Sequence, residues 1–117
     1  MFESTLARIV QLSGGRGAAL VSLDGLTIDA VGDDGRAVAP DDASREYGSV
    51  LKQLAGAGDA MEVGVLSEVT LEGEHETTLV RFVSSQYFVA LRVPREASTG
   101  RARFQLRVAA PSIAREL

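Results

Sequence analysis

The stretch "AALVSLDGLTIDAVG" (18–32) leaves this chain few ways to fold. Ala18 to Leu23 is apolar at nearly every position. A strand of that kind is covered on both faces, so it is expected in the middle of a sheet. Asp24-Gly25 is a favoured two-residue hairpin turn, because type I′ geometry asks for positive φ at both positions. The return strand, Leu26 to Val31, alternates. Leu26, Ile28 and Ala30 are expected on one face, with Asp24 serving the turn and Thr27 and Asp29 facing solvent.

The remaining segments supply the cover. Phe2, Leu6, Ile9 and Val10 recur at helical spacing, and Ser13-Gly14-Gly15 stops that helix. "GDDGRAVAPDD" (32–42) reads as a loop. Asp41 or Asp42 is placed to cap a second helix, with Glu46 early in it, running to about Glu62 and with Gly64 near its end. Its expected core stripe is Tyr47, Val50, Leu51, Leu54 and Met61. Strands follow at 66–72, 77–83 and 86–93, joined by connectors short enough for antiparallel hairpins. Pro94 ends the sheet. A last helix starts near Ser98, with Phe104, Leu106, Val108, Ala109 and Ile113 making apolar contacts. Arg101, Arg103, Arg107 and Arg115 snorkel around them, and Pro111 kinks or restarts the helix. The order α-β-β-α-β-β-β-α describes an α+β fold: one domain over 1–117, a five-stranded antiparallel sheet with helices on both faces.

Composition narrows the chemistry. Apolar residues make up 45% and charged residues 24%, as in a soluble globular protein. A net charge of −4 argues against nucleic acid or an anionic membrane as main partner. There is no cysteine and one histidine, His75, which excludes thiol chemistry, Cys-ligated zinc and multi-His sites. No apolar run approaches the roughly 20 residues of a membrane span. "MFESTLARIV" carries acid where a signal peptide carries positive charge, so a cytoplasmic location is expected. "SGGRG" (13–17) follows a helix and lacks the lysine of a phosphate-binding loop. "EGEHE" (72–76) sends alternate side chains to opposite faces, which suits a solvated turn better than a metal site. "GDDG" (32–35) lacks the spacing of a calcium loop. No cofactor, metal or catalytic set is expected. The chain reads as an interaction module and not as an enzyme.

The second helix carries one positive signal. Opposite its expected core stripe lie Arg45, Gly48, Ser49, Lys52, Gly56 and Asp59. Glycine in a helix interior costs about 0.5–1 kcal/mol against alanine. Two glycines on one exposed line admit two readings: close approach of a partner backbone, or a helix that frays after Ala55.

The hairpin at 18–32, "EYGSVLKQL" (46–54), "YFVALRV" (87–93) and "TGRARFQLRVAAPSIAREL" (99–117) together resemble the Roadblock (dynein light chain) family, in its bacterial MglB-like branch. The resemblance spans the chain. It implies a homodimer formed by the third strand and the second helix, with Leu66, Glu68, Val69, Thr70 and Leu71 at the interface. Val69 and Leu71 would extend a buried layer there. It also implies a Ras-like small GTPase (MglA-like) as partner, met by Arg45, Gly48, Ser49, Lys52 and Gly56 on the paired second helices. Such proteins accelerate GTP hydrolysis without donating a catalytic residue. A scaffold binding other Roadblock-like or unrelated proteins is the alternative, and a small-molecule sensor on a profilin-like sandwich is a third. Two departures stand out. The 117 residues stop with the last helix, where some MglB-type proteins carry a further partner-binding segment. "PREASTG" (94–100) also lacks an Asn that many relatives have.

Overall fold

The computed structural model describes residues 1–39 and 43–117. Its elements are α1 (Glu3–Ser13), β1 (Gly17–Ser22), β2 (Thr27–Val31), α2 (Ala43–Ala60), β3 (Glu68–Glu72), β4 (Glu76–Phe82), β5 (Tyr87–Pro94) and α3 (Thr99–Glu116). This is the expected order. The proposed caps Asp41 and Asp42 lie outside the described residues.

All neighbouring strands are antiparallel, in the order β2-β1-β5-β4-β3. β1 is therefore internal, as its apolar run demands. Ala18 and Leu20 join the core formed with α1 and α3, while Val21 joins the core under α2. The first core is the larger. Phe2, just before α1, with Leu6, Ile9 and Val10 of α1 and Ala102, Leu106 and Ile113 of α3, encloses Leu20, Leu79, Val89, Leu91 and Val93. α1 ends on left-handed Gly14, and the Gly15 N–H donates to the Val10 carbonyl at 2.9 Å. α3 starts at Ser98, whose hydroxyl accepts from the Arg101 N–H. It continues through Pro111 without restarting.

The hairpin differs in detail from the expected one. The Ser22 N–H donates to the Leu26 carbonyl and the Gly25 N–H to the Ser22 carbonyl, each at 2.9 Å. The loop is thus three residues, and only Gly25 has positive φ, at 88°. That is a type I turn closed by a left-handed residue, not type I′. The register slips between Leu20, opposite Asp29, and Val21, opposite Thr27, leaving Ile28 as the extra residue. On the turn side of the slip the expected alternation is lost, and Leu26 and Ile28 are exposed. Asp29 turns towards α1 instead of solvent. Its Oδ2 accepts the Phe2 N–H at 2.7 Å and lies 3.3 Å from the N-terminal amine, satisfying a donor at the helix start that α1 itself cannot.

Phe104 and Val108 also depart from expectation. Both are exposed on the outer side of α3, because Ala102, Leu106 and Ile113 already fill its inner line.

Leu20 is fully buried in the middle of this sheet. Leu20→Ala should cost about 2–5 kcal/mol through lost burial and a cavity. Urea unfolding checks this, and an unmoved midpoint would contradict an internal β1.

Candidate interaction surface

α2 lies on the opposite face of the sheet from α1 and α3, over the smaller core of Val21, Leu51, Val80, Phe88 and Ala90. Its seating is set by backbone. A Cβ on Gly48 would lie 2.7 Å from the Leu23 carbonyl oxygen and 3.1 Å from the Gly25 nitrogen. A Cβ on Gly25 would lie 2.8 Å from the Arg45 Cα. Helix and hairpin turn meet with no side chain between them. Outside this contact, Lys52 Nζ lies 2.9 Å from Asp24 Oδ1. Both groups are exposed, so that pair contributes about 0–1 kcal/mol.

This corrects the expected exposed line of small residues. Gly48 is buried, and its close backbone approach is made within the chain. Gly56 is exposed and a Cβ there would meet nothing within 4 Å. Arg45 and Ser49 are exposed, and Lys52 reaches back to the turn. Of the five, the structure keeps four outward and removes one.

The expected core stripe is corrected by the same contact. Around the helix at about 100° per residue, the inward line runs through Tyr47, Gly48, Leu51, Ala55 and Gly58, all buried or half-buried. Val50, Leu54 and Met61 fall together on the flank. Val50 is 45% exposed and Leu54 38%, and Met61 is still more open. A helix seated through Gly48 cannot also turn these residues inward.

That flank faces β3. Tyr47, Val50, Leu54, Val69, Leu71 and Val80 line an apolar groove of about 210 Å³ between helix and strand. β3 is the end strand of the sheet. The opposite edge, β2, is partly covered: the Val38 N–H donates to the Ala30 carbonyl at 3.0 Å, beside a Val31–Ala37 bridge. On the far face of β3, Glu68 Oε2 lies 2.9 Å from Arg103 Nε, and Arg103 Nη2 donates to Thr70 Oγ1 at 3.3 Å. Glu68 and Thr70 are therefore tied to α3. Val69 is half-buried in the groove, and Leu71 is 43% exposed. Leu66 precedes the strand and packs where Gly58 has no side chain. α2 ends at Ala60, two residues short of expectation, with the Val63 N–H on the Gly58 carbonyl and left-handed Glu62. Met61, Val63 and Val65 are exposed in the connection that follows.

A second cavity, about 490 Å³, lies under Tyr47. Its floor includes Ala30, Ala19 and Ala90, which face one another across three strands. Glu76 at its rim pairs with Arg16 at 3.3 Å and Arg92 at 3.7 Å. Glu76 thus belongs to β4, while Glu74 and His75 stay exposed at the hairpin tip. Among the described residues, no cluster of three or more His, Asp or Glu could hold a metal ion, and no helix is long and apolar enough to cross a membrane.

No protein-family model and no curated protein matches the sequence. Solved structures do. The chain superposes on Myxococcus xanthus MglB with a TM-score of 0.88 at 13% identity, covering 97% of this chain and 92% of that one. A Roadblock/LC7 domain from Streptomyces avermitilis gives 0.77 at 19% identity over 97% and 95%. MglC from Myxococcus xanthus gives 0.71, but at 31% identity over 99% of this chain and 98% of that one. The chain belongs to the Roadblock/LC7 family. What sequence reasoning missed in this Roadblock domain is the open apolar flank: Val50 and Leu54 carry no mark distinguishing them from core. The signal was in the glycines, since Gly25 and Gly48 each need a neighbour and supply one for the other.

The two helix glycines should respond oppositely. Gly48→Ala should cost about 1–3 kcal/mol by forcing α2 off the turn. Gly56→Ala should add about 0.5–1 kcal/mol of stability. Urea midpoints separate them, and a harmless Gly48→Ala would contradict the seating.

Proposed function

We propose that this Roadblock domain is a homodimeric regulator or adaptor of a Ras-like small GTPase of the MglA type. In this reading β3 pairs with β3 of a second copy, and the two α2 helices lie side by side. The observation that carries it is the apolar groove of Val50, Leu54, Val69 and Leu71 beside an end strand. An uncovered edge next to exposed apolar side chains is a pairing site that proteins normally protect. A stable dimer would bury about 1,200–2,000 Å² in total, ample to take in this flank. Leu66 would border it, with Glu68 and Thr70 fixing the strand from below.

The GTPase then docks on the outward line of α2, at Arg45, Ser49, Lys52 and Gly56. Gly56 lets a partner backbone come close. Arg45 and Lys52 offer charge at the rim. The contact stimulates GTP hydrolysis by reshaping the GTPase's own site, with no catalytic residue supplied from this chain. A second reading is a scaffold that pairs with other Roadblock chains. It is favoured by one observation: the open apolar groove beside β3 suits the edge of another Roadblock chain as well as that of a second copy.

Leu71→Glu places charge in the groove and replaces no buried side chain. Light scattering should show the mass halving, with the melting temperature of the monomer fold retained. A wild-type protein that is itself monomeric would overturn the pairing. Gly56→Arg should melt at or slightly above the wild-type temperature and lose capture of an MglA-type GTPase loaded with GTP. Lys52→Gln should weaken capture less, and mainly at low salt, as a rim charge does. Undiminished capture by Gly56→Arg would move the site off α2. Capture without faster GTP turnover would favour the adaptor role.

A further inference from the structure

α3 buries one line of side chains and exposes another of different chemistry. The outer line carries Arg101, Phe104, Arg107, Val108, Pro111 and Arg115, all exposed. Phe104 is 58% exposed and Val108 57%. The fold does not ask for them, because Ala102, Leu106, Ala109 and Ile113 make the contacts with the core. On an exposed helix face, Phe and Val are also poorer helix formers than Ala, Lys or Glu. Arg101, Arg107 and Arg115 make no ion pair among the described residues, whereas Arg16, Arg81, Arg92 and Arg103 all do. Charge is segregated as well. α3 holds four arginines against one glutamate, while fifteen of the chain's sixteen acidic residues lie outside it.

We propose that the outer face of α3 is a docking surface for an acidic amphipathic helix of another protein. Guanidinium groups bind carboxylates through paired, parallel hydrogen bonds. Three of them flank an apolar centre of Phe104 and Val108, the arrangement of an anchor with a polar rim. From Arg101 to Arg115 the face spans about 21 Å, the length of roughly four helical turns. Charge complementarity selects an acidic occupant, and the apolar centre selects one with hydrophobic side chains among its acids. An anionic bilayer fits less well: two apolar side chains bury little area in lipid, and the chain as a whole carries −4. The surface lies on the opposite face of the sheet from α2, so it does not depend on the GTPase reading and both sites are open together.

The test uses the full chain and a labelled helical peptide with Glu and Leu on one face, alongside its Gln-for-Glu counterpart. The Glu peptide should bind in a salt-sensitive way, and amide chemical shifts should move over 101–115. Arg107→Glu and Phe104→Ala should each weaken binding by about tenfold, with melting curves unchanged since both side chains are exposed. Should Arg107→Glu lower the melt, Arg101→Gln provides the same reading. Equal binding of the Gln peptide, shifts confined to other elements, no binding, or binding to phosphatidylserine vesicles instead of the peptide would each overturn the proposal.

Discussion

The backbone contact between Gly48 and the Leu23–Gly25 turn is the constraint on which the exposed chemistry of this domain depends. With 2.7 Å between a hypothetical Cβ and the Leu23 oxygen, no other residue fits at position 48 without moving the helix. Gly25 answers it from the other side, filling two needs at once: the left-handed turn position and the approach to Arg45. The strand that leaves this turn serves the other face: Asp29, on the same side of β2 as Val31, accepts the Phe2 N–H at the start of α1. One hairpin thereby contacts a helix on each face of the sheet.

Anchoring α2 over the β1–β2 end has a consequence at the other end of the sheet. The helix presents Leu51 to the core and leaves Val50 and Leu54 over the last strand with nothing beyond it. On the face away from α2, β3 is tied down by Arg103 on Glu68 and Thr70. Its α2 side stays apolar and open. The two faces of the domain thus differ: a closed core beneath α1 and α3, and a smaller, incompletely covered one beneath α2. Surplus apolar surface at a sheet edge is what an obligate neighbour would cover.

Much of this was legible in the sequence, and the misses share a cause. Element order and the internal position of β1 follow from periodicity and from an apolar run that needs two covers. Leu26 and Ile28 were misplaced because alternation assumes an unbroken register, and a three-residue loop with a bulge breaks it. Val50, Leu54 and Met61 were misplaced because a helical stripe is chosen by hydrophobicity alone. The true inward line runs through Gly48 and Gly58, which carry no hydrophobic signal. Phe104 and Val108 show the converse, being apolar without being core. Of the outward line on α2, Arg45, Ser49, Lys52 and Gly56 stand where a wheel puts them, and Gly48 does not.

The most direct measurement of the central claim, that the β3 side of this domain is an interface and not a free edge, is amide hydrogen exchange along β3 as a function of protein concentration. The amides of β3 that do not bond to β4 should be protected at high concentration and lose that protection on dilution, while those of β1 and β5 stay protected throughout. Rapid exchange of the same β3 amides at every concentration would show an edge that water covers, and would contradict the claim.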